Sequence, residues 1–308
     1  TAAGVLLVLC FKPVWRLLIA ALFGTCLLVF LAYLAYAGGN LWLPVVPAVI
    51  GWVASAALMT AYLTSHESAL RRQLMELFSR QVSGDVAGQI WERRDDFLAG
   101  GRLRARRVTA TVLFSDLEGF TAVAERLGPT ELLDWLNDYM ETMAGLVLEH
   151  GGIIDDYFGD AIMADFGVPL ARGSEEAFTL DARNAVDCAL AMREAVTRLN
   201  LGNQRRSLPA VRMRVGIATG EMMAGFLGTS RRMKYTTIGD TVNTAARLES
   251  YAKELPPAGA DEGDCRILIA ESTARRLDGR YRTEPVGRLV LKGKSEPVAV
   301  LRLLAKAD

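Results

Sequence analysis

The sequence predicts an α+β catalytic domain of ferredoxin-like, split βαβ type, preceded by transmembrane helices and a helical linker. Three observations carry that expectation. Charge is almost absent before residue 64, where Lys12 and Arg16 stand alone, and dense after Glu67. The later part reads strand, helix, hairpin, helix, strand, which is the split βαβ order. Two carboxylates, Asp116 and Asp160, each arrive at the end of an apolar, strand-like run, as holding a metal-bound polyphosphate requires. The expected divisions are a membrane region over 1–64, a linker over 65–107 and a catalytic domain over 108–305.

Leu17 to Ala37 and Leu41 to Leu63 are uncharged. Each is long enough to cross a hydrocarbon core as a helix, which takes ~20 residues. Thr1 to Phe11 is apolar but short, a partial span or the tail of one. The chain begins without Met, and an upstream sensor domain is expected beyond it. Lys12 and Arg16 in one loop, with Arg71 and Arg72 after the second long run, place those segments and the catalytic domain in the cytoplasm of a multi-pass inner-membrane protein. Pro44 and Pro47 fall near the start of the second span, where a helix needs no N–H partner.

Leu70, Leu74, Leu77 and Phe78 recur at helical spacing among Arg71, Arg72, Glu76 and Arg80. Two readings are open for this helix, a parallel dimer seam and a solvated connector. Gly100 to Arg107 is basic and Gly-led. It reads as a flexible joint, with contact to anionic membrane lipid as the second reading.

Val108–Ser115 is a buried strand by its β-branched, apolar content. Thr130–Glu149 is an amphipathic helix that Gly151-Gly152 ends. Residues 153–157 and 161–166 flank Phe158-Gly159-Asp160 as a hairpin. Asp181–Leu199 is a second long helix and Asn200–Pro209 a polar loop. Strands follow over 211–219 and, shorter, within 220–228. A helix is expected over 241–255 and a strand over 267–270. A short helix over 272–276 and two closing strands near 281–290 and 298–304 complete the domain.

Bulk properties exclude several classes. The 35 basic and 35 acidic residues balance, so no nucleic-acid partner is indicated. The four cysteines show neither CxxC nor Cys–His spacing, which argues against zinc and against a disulfide framework. Two long spans are too few for a transporter. Asp116 and Asp160 are hard oxygen donors suited to two Mg²⁺ or Mn²⁺ ions per site. The turn from Leu117 into the next helix offers the N–H groups of Phe120 and Thr121 to phosphate.

Three segments then match a family. Phe114-Ser115-Asp116-Leu117-Glu118-Gly119-Phe120-Thr121, Phe158-Gly159-Asp160-Ala161-Ile162-Met163-Ala164 and Tyr235-Thr236-Thr237-Ile238-Gly239-Asp240-Thr241-Val242-Asn243-Thr244-Ala245-Ala246-Arg247-Leu248 closely resemble class III adenylyl/guanylyl cyclases. The membrane part resembles that of bacterial receptor-type members. The resemblance implies a homodimer with sites shared between protomers. Asp116 and Asp160, with the Leu117 backbone carbonyl, would hold the metals. Asn243 would orient the ribose, Arg247 would stabilise transition-state charge, and Lys292 would contact the triphosphate. Thr236 suits adenine. Asp156 departs from the pattern, since adenylyl members place Lys there. A carboxylate cannot donate to adenine N1 but can accept from guanine. Three readings follow: ATP as substrate, GTP as the alternative, or an Asp156 that pairs with a nearby cation and does not read the base. A weakly active regulatory module would lack a metal Asp or the Asn/Arg pair, and none is lost. A diguanylate cyclase would need an acidic residue where Ile153 follows Gly151-Gly152.

Overall fold

The computed structural model describes residues 14–39, 44–78, 98–99, 102–103, 105–170, 173–229, 232–255, 263–290 and 297–307. They divide into two compact units, Thr1–Leu74 and Met75–Asp308. The first holds α1 (Val14–Gly39) and most of α2 (Val45–Phe78). Leu22, Phe23, Phe30, Ile50 and Leu58 are all more than half exposed, an apolar surface that water does not favour. The helices meet where Gly24 lies under the Trp52 ring, since a Cβ at Gly24 would stand 2.8 Å from that ring.

The two expected spans fare differently. Leu22–Gly39 is long and apolar enough to cross a membrane, whereas the apolar stretch Val46–Tyr62 of α2 is shorter. α2 continues unbroken through residue 64 to Phe78, into the expected linker, which the sequence also reads as helical. The reason is local: Thr64-Ser65-His66-Glu67 contains no Gly or Pro to stop a helix. Part of the expected linker lies outside the described residues. Where a flexible joint was expected, β1 (Leu98–Ala99) pairs antiparallel with β2 (Arg102–Leu103).

The second unit is built on one eight-stranded sheet. In chain order come β3 (Arg106–Leu117), α3 (Phe120–Arg126), α4 (Pro129–Glu149), β4 (Gly152–Phe158), β5 (Ala161–Phe166) and α5 (Glu175–Arg205). Then follow β6 (Met213–Thr229), β7 (Arg232–Ile238), α6 (Asp240–Tyr251), β8 (Cys265–Ala270), α7 (Glu271–Ala274), β9 (Tyr281–Leu289) and β10 (Val298–Lys306). The strand order is β4-β5-β3-β6-β8-β10-β9, with β7 hairpinned onto the far half of β6. The strands β3 to β6 realise the split βαβ order, and among the described residues only β6 with β8 is parallel.

Period-two alternation along the strands divides the core. Leu113, Ile154, Ile162, Val215 and Ile217 face one side, where Tyr139 and Met143 of α4 and Val186 and Ala189 of α5 cover them. Val112, Ile153, Met163 and Ala218 face the other side, beneath Ala245 and Leu248 of α6. Pro129 opens α4 at its first turn, and the Ser174 hydroxyl caps α5 by accepting from the Ala177 N–H at 3.2 Å.

Three expectations need correction. α5 runs to Arg205, through half of the expected polar loop, because Asn200 and Asn203 tie it to the backbone of Val211 and Pro209. The strands expected over 211–219 and within 220–228 are one strand, β6. β7 was not foreseen as a strand. It forms because the outer half of β6 has an open edge to pair with.

The seat of α6 on β6 depends on Gly216. A Cβ there would lie 2.2 Å from the Ala245 carbonyl oxygen and 2.4 Å from the Glu249 nitrogen, both helix backbone. Gly216→Ala is expected to destabilise the domain by about 1–3 kcal/mol, as overpacking against an element that cannot give way does. A urea midpoint equal to that of the unsubstituted protein would show that α6 is not held against β6.

Candidate active site

β3 delivers Asp116 one residue from its end, and the β4–β5 turn delivers Asp160 after Gly159, whose φ of 68° suits a residue without a Cβ. Register brings the two together: Ser115 of β3 lies opposite Ile162 of β5, so the residues beyond this pair converge. Asp160 has its pKa raised to about 6. Burial contributes most, followed by the Asp116 charge, and a hydrogen bond with the Asp116 carboxyl adds to both. The backbone N–H groups of Asp160 and Leu117 act in the opposite direction.

The same register logic supplies a cation that the sequence reading did not single out. Arg214 of β6 lies directly opposite Asp116. Its Nη2 donates to Asp116 Oδ2 at 2.6 Å and to the Leu117 carbonyl at 3.4 Å, and its Nε donates to Glu249 Oε1 at 2.9 Å. Only 4% of the Arg214 side chain is exposed. Burial pushes the Glu249 carboxyl above the ordinary range, and the hydrogen bond from Arg214 partly reverses this. Lys253 Nζ stands 4.0 Å from the same Asp116 oxygen. A cleft of about 390 Å³ opens alongside, lined by Glu118, Arg212, Arg214, Lys253 and Arg266 among others, so it is rich in positive charge.

This donor set fits a divalent cation. Two carboxylates and a backbone carbonyl are all hard oxygen donors, and the carboxylate pair carries a repulsion that a cation would relieve. Among the described residues no cluster of three or more His, Cys, Asp or Glu forms a metal cage. The donors present would suit Mg²⁺, which takes few protein ligands and completes its shell from substrate phosphate and water.

A second polar cluster joins β4, β5 and β7. A bulge between Ile154 and Asp156 turns two consecutive carboxylates toward one cation, where a regular strand would send them to opposite faces. Lys234 Nζ donates to Asp156 Oδ2 at 2.7 Å and to Asp155 Oδ1 at 3.0 Å. The largely buried Thr236 hydroxyl donates to both Asp155 oxygens, at 2.7 and 2.9 Å. Beneath them Asp165 is fully buried and accepts from Thr237 Oγ1 at 2.9 Å. Burial, then the neighbouring Asp155 charge, pushes the Asp165 carboxyl well above its ordinary range. Asp156 therefore does pair with a nearby cation, the third of the readings open from sequence.

Asn243 and Arg247 are four residues apart on α6, with Asn243 exposed and Arg247 half-buried. Neither bonds to Asp116 or Asp160 within this one chain. Phe120 stacks on Trp135 with ring centroids 6.5 Å apart, and Thr121 is exposed. Lys292 lies outside the described residues.

Residues 104–302 match the adenylate and guanylate cyclase catalytic domain family. The chain is 31% identical over 205 residues to adenylate cyclase 1 of Rhizobium meliloti (strain 1021), covering 67% of this chain and 29% of that protein. Solved structures agree. The adenylyl cyclase CyaB from P. aeruginosa aligns with a TM-score of 0.59 and 34% identity, over 67% of this chain and 98% of that one. The guanylyl cyclase Cya2 aligns with a TM-score of 0.57 and 31% identity, over 66% and 95%. The chain belongs to the class III adenylyl/guanylyl cyclase family, whose catalytic domains generally use divalent metal ions. It spans less than half the length of the first curated relatives that it matches.

The raised Asp160 has a consequence for the metal-free protein. A carboxyl whose folded pKa lies above its unfolded value contributes stability below about pH 4, and that contribution is lost as pH rises through about 6. Asp160→Asn removes the group that loses it. In the presence of a chelator the variant is expected to exceed the unsubstituted protein in stability by about 1 kcal/mol at pH 7.5, after allowance for solvent screening, with the gap closing toward pH 4. Urea midpoints at the two pH values measure this, and a gap that widens toward low pH contradicts it.

Proposed function

We propose that this chain is a membrane-anchored nucleotidyl cyclase that converts ATP to 3′,5′-cyclic AMP and diphosphate. The reading rests above all on the convergent Asp116–Asp160 pair, whose mutual repulsion marks a place for divalent cations. In the reaction the ribose 3′-oxygen attacks the α-phosphorus, the bond to the β-phosphate bridging oxygen breaks, and the 3′-hydroxyl proton is released. Asp116, Asp160 and the Leu117 carbonyl would hold two divalent cations, whose positive charge would favour an ionised 3′-oxygen and steady the departing diphosphate.

The chain's own groups do the rest. Asn243 holds the ribose so that its 3′-oxygen faces the α-phosphate. Arg247 meets the charge that develops on the α-phosphoryl oxygens, an interaction of most use where it strengthens toward the transition state. Phe120 and Thr121 present backbone N–H groups, and Lys292 a positive charge, to the triphosphate. Thr236 and the β4 position of Asp156 face the base. The alternative substrate is GTP.

In this proposal the chain acts as a homodimer. Asn243 and Arg247 project from α6 without reaching the carboxylates of their own chain, and Tyr157, Phe158, Leu227 and Ile238 leave apolar surface open on β4, β6 and β7. A two-fold partner would bring its own α6 to the metal pair and complete two equivalent sites. The proposed division is a membrane region over 1–64, a linker over 65–107 and a cytoplasmic catalytic domain over 108–305, at the inner membrane.

Purified full chain supplied with Mn²⁺ is expected to form cyclic AMP from ATP, and no cyclic product from either ATP or GTP rules the proposal out. Asp116→Ala and Arg247→Ala are each expected to lower turnover by at least ~10²-fold. A one-to-one mixture should regain about a quarter of full activity, because half of the re-formed dimers hold one intact site of two. A mixture as inactive as its parts means that the sites are not shared.

A further inference from the structure

We propose that Lys234 is the residue that reads the purine ring, donating to N1 of adenine, with Asp156 as its counter-ion and not itself a base contact. This rests on the nucleotide-cyclase reading above and specifies its substrate. The sequence left an anomaly at position 156, where a carboxylate stands in place of the positive donor that adenine N1 requires. The donor is present but arrives from another strand. Lys234 on β7 places its ammonium one hydrogen bond, 2.7 Å, from Asp156 Oδ2. The bulge in β4 commits Asp155 to the same ammonium at 3.0 Å. An ammonium has three N–H donors. Two are taken by these carboxylates and the third is left over, on a side chain that is 35% exposed.

The neighbouring group completes the pattern. Thr236 follows two residues along β7, on the same face of the strand. Its proton is committed to Asp155, at 2.7 and 2.9 Å from the two oxygens, which leaves the hydroxyl oxygen to accept. Lys234 and Thr236 both bond to Asp155 Oδ1, so the donor and the acceptor lie side by side. Adenine presents the complement, an acceptor at N1 beside a donor at its exocyclic amine. Guanine presents the reverse at those positions. Its N1–H would face the Lys234 ammonium, which has no lone pair to accept with, while Asp156 is held by Lys234 at Oδ2, 2.7 Å away, and by the Tyr157 N–H at Oδ1, 3.0 Å away. The ammonium keeps its charge: burial lowers its proton affinity, but the bonds to Asp156 and Asp155 more than restore it.

Equilibrium binding separates this inference from the catalytic reading. The probes are 3′-deoxy-ATP, which has no 3′-hydroxyl and so cannot cyclise, and its 1-deaza counterpart, which replaces N1 by C–H at the same shape. Full-length protein is expected to bind the first about 10- to 100-fold more tightly than the second, as a charge-assisted bond predicts. Lys234→Met should weaken binding of 3′-deoxy-ATP by a similar factor and erase its advantage over the 1-deaza analogue. The double variant Asp156→Lys/Lys234→Asp, which restores the ion pair with inverted polarity, should recover the advantage and controls for folding. Equal binding of the two probes by the unsubstituted protein, binding of neither, tighter binding of 3′-deoxy-GTP, or an N1 preference that survives Lys234→Met each overturn the inference. Intact N1 discrimination in a protein that makes no cyclic AMP would leave Lys234 standing while the cyclase reading fails.

Discussion

The buried guanidinium of Arg214 is the interaction on which the geometry of the catalytic unit depends. It joins the end of β3, through Asp116 and Leu117, to α6, through Glu249, from its own place on β6. Two elements that carry proposed catalytic residues, β3 and α6, are thereby fixed to one planar group on β6. Burying a charge costs several kcal/mol unless partners compensate, and Arg forms such pairs well because its donors are held in a rigid fork. The arrangement needs every member. Without Glu249 the cation would be half-paired in the core, and without Arg214 two carboxylates would be left in a site that already contains a third, Asp160. Arg266 serves the far end of α6 in a similar way, donating to the carbonyl oxygens of Ala252 at 2.8 Å and Leu255 at 3.3 Å.

Two carboxylate pairs lie in this sheet, and each relieves its repulsion differently. Asp116 and Asp160 sit at strand ends, partly open to water, with Arg214 on one side. Burial and repulsion there leave an affinity for positive charge that a proton meets at low pH and a divalent cation would meet at neutrality. Asp155 and Asp165 lie deeper, and there the charge is met from within the protein, by the Lys234 ammonium and by hydrogen bonds from Thr236 and Thr237. Depth decides between the two outcomes, since desolvation of a charge grows as water is excluded.

Much of this was legible in the sequence because it is written locally. β3, the β4–β5 hairpin and α4 follow from apolar runs, turn residues and helical spacing, each within a short window. The end of α5 was not legible, because Asn200, Gly202 and Asn203 have poor helix propensity and are kept helical by bonds to residues 209 and 211. Nor was β7, whose ladder partner is the far end of a long strand. Arg214 did leave a signal: a charged residue between Met213 and Val215, in a strand buried on both faces, must have a partner. That partner, Glu249, is 35 residues away in sequence, and Lys234 is 78 residues from Asp156. No spacing rule reaches that far, so the inverted ion pair at the base position stayed invisible until the fold set the two strands together.

The raised carboxyl of Asp165 also links the fold to the uptake of protons. Counted from the sequence, 35 cationic and 35 acidic side chains cancel, and the calculated isoelectric point is about 6.7. That count ionises every carboxyl. In the folded protein two of them, Asp165 and Asp160, hold their protons to higher pH than that count assumes, Asp160 up to about 6. Unfolding returns both carboxyls to water and to the ordinary carboxylate range, so each gives up in the unfolded chain a proton that the fold would hold to higher pH.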